Sequence, residues 1–216
     1  MTCSRSWPDP ERMLFFDLDL AQILAIGIAL VVGITFHEFS HAFLADQLGD
    51  RRPRALGRVS LNPARHIDPV GALVFLMAGF GWGRPVPVNV YALRPGPIGM
   101  ALVASGGPIA NVLVAIVGAA LFRVLDSGGG TGFVMDLTAG VVFYNLLLAV
   151  FNLLPIPPLD GYNVALAFLP PKAAFTVQRY AQYGIILILL LVFLPGSPLR
   201  VVFGWLRDLT GVLIGA

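Results

Sequence analysis

Four long apolar stretches divide this chain, and the polar residues gather between them. The first runs from Leu20 to Leu44, the second from Gly99 to Arg123, the third from Phe133 to Leu154, and the fourth covers Ala181 to Leu194 with its flanks. At 1.5 Å per residue, the first three are long enough to cross a hydrocarbon core of about 30 Å. Between the first and second, the chain is broken by Pro53, Pro63, Pro69, Pro85, Pro87, Pro95 and Pro97, and it holds one short apolar run, Val70 to Phe80. That run is too short to span comfortably and reads as a re-entrant or interfacial segment. Alternation in Arg58-Val59-Ser60-Leu61 and in Pro85 to Val90 predicts short β structure beside it. After the linker Asp126 to Gly130 and the third span, Pro195 to Pro198 turns the chain into Leu199–Ala216. This last stretch is apolar but carries Arg200, Arg207 and Asp208 near one face, so it either returns through a membrane or lies in its surface. The pattern predicts an α-helical polytopic membrane protein: one integral-membrane domain over 1–216, with a three-helix core in 20–161, C-terminal helices in 176–216, and a β-rich or re-entrant insert between the first two core spans.

Composition agrees with the spans. The 216 residues are 57% hydrophobic and 12% charged, with mean hydropathy +0.82, well outside the range of soluble domains. The single cysteine, Cys3, excludes an intrachain disulfide and leaves nitrogen and oxygen as the donors for any metal. The segment before Asp19 is acidic and proline-containing, without the basic start of a cleaved signal, and reads as retained. Arg51, Arg52, Arg54, Arg58 and Arg65 follow the first span, whereas Asp9, Glu11, Asp17 and Asp19 outnumber arginine before it. The positive-inside rule then places 49–68 in the cytoplasm and the N-terminus outside, as for a multi-pass protein of a bacterial-type plasma membrane. These arginines flank a span without interleaved aromatics, which favours lipid headgroups over nucleic acid as their partner.

Candidate chemistry lies late in the first span. In Phe36-His37-Glu38-Phe39-Ser40-His41, the two histidines fall one helical turn apart on one face, so both imidazoles can reach a single metal ion. H-E-x-x-H gives zinc two nitrogen ligands and sets Glu38 where it can take a proton from water activated there. The bland alternative is a hydrogen-bonded pair of core histidines with Glu38 as partner. It is disfavoured because three ionisable groups at membrane depth cost several kcal/mol without compensation. If 70–80 does not cross, the third span returns Asp160, in Asn152-Leu153-Leu154-Pro155-Ile156-Pro157-Pro158-Leu159-Asp160-Gly161, to the depth of the histidines. Asp160 is then either a third ligand, leaving a fourth position for water, or an ordinary turn residue before Gly161. The proline run, which holds the chain extended, favours the ligand. Ser105 to Asn111, with Gly106, Gly107 and Pro108, is either a helix-packing patch or a direct neighbour of the site. His66, in a polar proline-flanked stretch, is expected to be a surface or turn residue.

These residues resemble the site-2 protease family of intramembrane zinc metalloproteases, through FHEFSH, NLLPIPPLDG and the intervening SGGPIAN. The likeness covers 20–161. It implies that His37, His41 and Asp160 ligate one Zn2+ per chain, that Glu38 is the catalytic acid/base, and that Asn152 helps hold substrate or polarise the scissile carbonyl. The absence of a PDZ-like or CBS domain leaves substrate selection open. The expected activity is hydrolysis of a peptide bond within or near a transmembrane segment of a single-span membrane protein, on the cytoplasmic side. Asn111, Val86 and Val88 are candidate substrate contacts, the valines through strand addition near Val86 to Val90. Rival readings are a membrane metal carrier, in which Glu38 is only a ligand, and an inactive scaffold, against which an intact Glu38 argues.

Overall fold

The structure is a computed structural model and describes residues 19–78, 81–194, 196–197 and 199–215. The readings made for the N-terminal segment, Cys3 and Phe80 lie outside these residues. Helix α1 spans Leu20–Gln47. It opens with a capping box: Asp19 accepts from the Gln22 backbone, and the Gln22 side chain accepts from the Asp19 backbone. A four-residue turn, α2 (Arg52–Ala55), and a ten-residue helix, α3 (Pro69–Ala78), follow. Asp68 starts α3 by accepting from Val70 and Gly71. At about 15 Å, α3 cannot cross a bilayer.

Helices α4 (Pro97–Ser127) and α5 (Phe133–Asn152) complete the core, and with α1 they are the three described helices long and apolar enough to cross a membrane. All three pack on one another. Small residues allow this close approach: Ala29, Ala115 and Ala119 are buried among Val142, Phe143 and Leu146. At Gly118, an added Cβ would lie 3.1 Å from Val141. Ile116, Val117, Leu121 and Val124 point outward and stay exposed, as on a lipid-facing surface.

The expected β structure does not form. Among the described residues there is no sheet, only an isolated antiparallel bridge between Ile67 and Gly83. The physical reason is that the backbone donors are spent elsewhere. Pro85 and Pro87 have none, Asn62 and Asn89 cap short 3-10 turns, and the Asn89 N–H donates to Asp50 at 2.6 Å.

The C-terminal third is helical, as expected, but in shorter pieces. Helices α6 (Asp160–Phe168), α7 (Pro171–Arg179) and α8 (Gly184–Phe193) are each shorter than a span. The predicted fourth crossing is a pair bent by 44° between α7 and Ala181–Val192, with a 3-10 turn at the break. Helix α9 (Leu199–Ile214) lies against α4 and α5. It buries Leu206 completely, and Arg123 donates to the carbonyls of Val212 and Leu213 near its end. This caps carbonyls that the helix cannot satisfy itself.

Candidate metal centre

His37 lies about 26 Å along α1 from its start. The 3.6-residue repeat brings His41 beneath it, with ring centroids 4.6 Å apart. Helix α4 presents Val103, Gly107 and Asn111 to this pair, spaced four residues apart on one face. The His37 Nδ1 lies 2.7 Å from Asn111 Oδ1, and the His41 Nδ1 lies 2.7 Å from the Val103 carbonyl. Oxygen accepts in both bonds, so each Nδ1 carries the hydrogen. Gly107 sits between them. A Cβ there would lie 2.5 Å from His37 Cε1 and 2.6 Å from His41 Nε2.

The chain after α5 then delivers Asp160. Helix α6 packs on α4, and the Asp160 Oδ2 comes within 3.0 Å of His37 Nε2 and 3.2 Å of His41 Nε2. Potential donor atoms of His37, His41 and Asp160 all lie within 4.8 Å of one another, and the histidines are buried. The turn reading of Asp160 thus gives way to a shared site at the depth of the histidines.

The donor chemistry fits a metal. With the hydrogen on Nδ1, each imidazole in its neutral form directs its Nε2 lone pair at a carboxylate oxygen, and that Oδ2 is buried without a hydrogen-bond partner. Three acceptors converging in a low-dielectric interior repel unless a cation joins them. Two nitrogens and one oxygen also match the three-ligand set of catalytic zinc, and the Nδ1–H bonds are the outer support such ligands have. A bare core-histidine pair needs no such convergence.

Glu38 faces a loop rather than the cluster's far wall. Its Oε2 is 3.9 Å from Arg58 Nη2, and Arg58 is itself buried and donates to the Arg84 carbonyl. Gly83 approaches from the same loop: a Cβ there would lie 2.8 Å from Ile34 and 3.5 Å from Glu38 Oε1. Of the two positions expected of His66, the turn holds and the surface does not: it lies in a turn but is fully buried, its Nε2–H donating to the Ser60 carbonyl at 2.6 Å. That bond and the Arg84 N–H to His66 carbonyl bond, 2.7 Å, fold the loop over Glu38.

Beneath the loop, the arginine-rich segment is tied to two buried acids. Asp46 accepts from Arg51 and Arg54, and Asp50 from Arg52. Arg52 holds the Asp50 carboxyl at about 2, below the usual carboxylate range, against burial that pushes it up and with help from the Asn89 N–H.

The remaining candidates fall further out. Asn152 ends α5, partly buried, with its Nδ2 donating to the Leu148 carbonyl at 2.9 Å. Asn111 is fully buried and its amide is engaged by His37, Gly33 and Asn145, so it lies behind the site and not on an open substrate face. Val88 packs on the Ala45, Leu93 and Val103 cluster, and Val86 is partly buried in the extended segment. Sequence reasoning missed Arg58 and the Val103 carbonyl. The first looked like one more lipid-facing arginine, and a backbone acceptor leaves no residue-type signal.

A span-length apolar helix that carries two histidines and a neighbouring glutamate, met by an aspartate from a short helix beyond the third span, has the arrangement of a membrane metalloprotease. Comparison with known proteins narrows the class. The chain is 36% identical to YwhC of Bacillus subtilis over 191 residues, 86% of each chain. It is 33% identical to Rip2 of Mycobacterium tuberculosis over 193 residues, 84% of this chain and 72% of the relative. To MJ0611 of Methanocaldococcus jannaschii it is 30% identical over 164 residues, 74% of each. All three carry the name "Putative zinc metalloprotease". No protein-family model and no solved structure matches the chain. The chain belongs to the site-2 protease family of zinc metalloproteases.

Proposed function

We propose that this protein is an intramembrane zinc endopeptidase that cuts a single-span membrane protein within or near its transmembrane segment. The observation that supports this is the convergence of Asp160, at the start of α6, on His37 and His41, which lie with Glu38 on a helix of membrane-spanning length. His37, His41 and Asp160 would hold one zinc ion. Bound there, zinc supplies Lewis-acid polarisation of a carbonyl and makes water nucleophilic near neutral pH. Glu38 accepts a proton from the attacking water and returns it to the leaving amine. Arg58 and the loop through Gly83 cover that carboxylate from the side of the loop. Asn152 has a second amide N–H beyond the one given to Leu148, and its role is to donate to the carbonyl oxygen as charge develops. In the multi-pass arrangement we favour, the site lies toward the cytoplasmic side, where the arginines after α1 face anionic lipid. A substrate helix must unwind to present its amide.

The test is Glu38→Gln. It keeps shape and hydrogen bonding but removes the proton acceptor, so zinc stays bound while cleavage of a co-expressed single-span substrate falls by about 10²- to 10⁴-fold. Cleavage at the parental rate refutes the assignment. Zinc uptake into vesicles by both forms, with no cleavage by either, shifts the reading to a metal carrier.

A further inference from the structure

Two asparagines, Asn111 on α4 and Asn145 on α5, are fully buried in the three-helix bundle, whose core is built mainly of small and apolar side chains. A buried amide left without partners costs about 1–3 kcal/mol. Both are satisfied, and the way they are satisfied has a direction. Asn145 Nδ2 donates to the Val141 carbonyl, one turn back on its own helix, at 2.8 Å. Its Oδ1 therefore faces α4 and accepts from Asn111 Nδ2 at 2.9 Å. The same Nδ2 also donates to the Gly33 carbonyl of α1 at 3.1 Å. With its nitrogen held by two acceptors, Asn111 has only its oxygen to offer His37.

We infer that Asn145, acting through Asn111, sets the tautomer of His37 and is a positioning residue for a ligand it does not touch. Reversing the Asn111 amide would set its oxygen against the Gly33 carbonyl and Asn145 Oδ1. It would also make His37 Nδ1 an acceptor and move the hydrogen to Nε2. Nε2, 3.0 Å from Asp160 Oδ2, would then donate to it, closing a simple histidine–aspartate hydrogen bond and leaving no lone pair for a metal. The third core helix thus decides between a closed pair and an open site. Glycine at 33 is part of the device: a Cβ there would lie 2.7 Å from Leu148 and 3.1 Å from Asn145 Oδ1. The inference rests on His37 being a metal ligand, but its readout does not.

The experiment is 15N-histidine NMR on the full chain in detergent, metal-free and at the alkaline limit where the histidine shifts no longer change with pH. The three histidines give distinct expectations. His37 and His41 carry Nδ1–H, and His66, bonded through Nε2 to Ser60, carries Nε2–H. In Asn145→Leu, an apolar near-isostere, His37 becomes a mixture of tautomers while His41 and His66 are unchanged. Zinc affinity falls by about 10-fold, and by up to about 100-fold in Asn111→Leu. The double variant is no weaker than Asn111→Leu alone, because the two residues act in series. Gly33→Ala crowds Asn145 without removing a polar atom and shifts His37 in the same direction. The inference is overturned if His37 keeps Nδ1–H in both Asn145→Leu and Gly33→Ala. It is also overturned if all three histidines change together, since the bonds would then report general loosening. Either result leaves the Glu38→Gln test standing, so failure of the relay and failure of the protease reading are distinguishable.

Discussion

Replacing Gly107 with alanine is the smallest change that should disable the site. In an unconstrained helix, glycine to alanine stabilises by about 1 kcal/mol, through backbone entropy. Here the new Cβ would lie 2.5, 2.6 and 2.7 Å from His37 Cε1, His41 Nε2 and His37 Nδ1. Carbon contacts relax at about 3.5 Å or more, so α4 and α1 must separate locally by about 1 Å. Overpacking of this kind costs about 1–3 kcal/mol, which cancels or exceeds the helical gain. The metal suffers more than the fold, because ligand distances tolerate only about 0.2 Å. The same displacement stretches the bonds from both Nδ1 atoms to α4. We expect zinc affinity, measured by chelator competition, to fall at least about 10- to 100-fold, while thermal unfolding of the metal-free protein changes little. Gly27→Ala is the matched control. Nothing lies within 4 Å of its added Cβ, so it should stabilise α1 by about 0.5–1 kcal/mol and leave zinc binding alone. Parental zinc affinity in Gly107→Ala would refute the geometry on which the site is built.

Two further outcomes follow from the topology and the arginine loop. With Cys3 replaced, cysteine labels at positions 57 and 172 should both react from the cytoplasmic face and a label at 129 from the outer face; opposite accessibility of 57 and 172 would separate Asp160 from the histidines. Asp50, whose carboxyl is held at about 2 chiefly by Arg52, contributes stability that is present above its unfolded value of about 4 and is lost as pH falls toward about 2. Asp50→Asn should therefore flatten the acid limb of unfolding between about pH 4 and 2, which a melting series would show; an unchanged limb would place the acid sensitivity elsewhere.

Much of the site was legible because its residues are rare where they occur. Two histidines and a glutamate in an apolar helix have few structural reasons to be there, and helical spacing alone brings His37 and His41 together. Asp160 was legible through the proline run that presents it, through the motif it ends, and through a parity argument: a run too short to cross, Val70 to Phe80, makes the next two spans return the chain to the same side. The insert between α1 and α4 was not legible in the same way. Alternation around Pro85 to Val90 records which side chains face in, and Val88 does, but it does not say whether backbone groups pair with a strand or with Asp50. Arg58 and His66 were misread for a related reason. A lone arginine or histidine in a polar, proline-rich stretch is ordinarily solvated, and only the folded loop shows that Glu38 and the Ser60 carbonyl are waiting for them.

The C-terminal helices touch the chemistry through one contact. Gly161 lies so close to the chain end of α5 that a Cβ would fall 2.1 Å from the Leu153 carbonyl, and a Cβ added to Gly184, at the start of α8, would fall 2.0 Å from the Pro157 carbonyl. The proline run that presents Asp160 is therefore held as in a vice, one jaw belonging to the ligand's own helix and the other to a helix well beyond the two signature motifs. A fragment ending at Gly161 would contain every predicted zinc ligand and lack the second jaw. Drift in α8 among relatives would then retune the aspartate's reach with the motif residues unchanged, so the working unit extends past the residues that identify it.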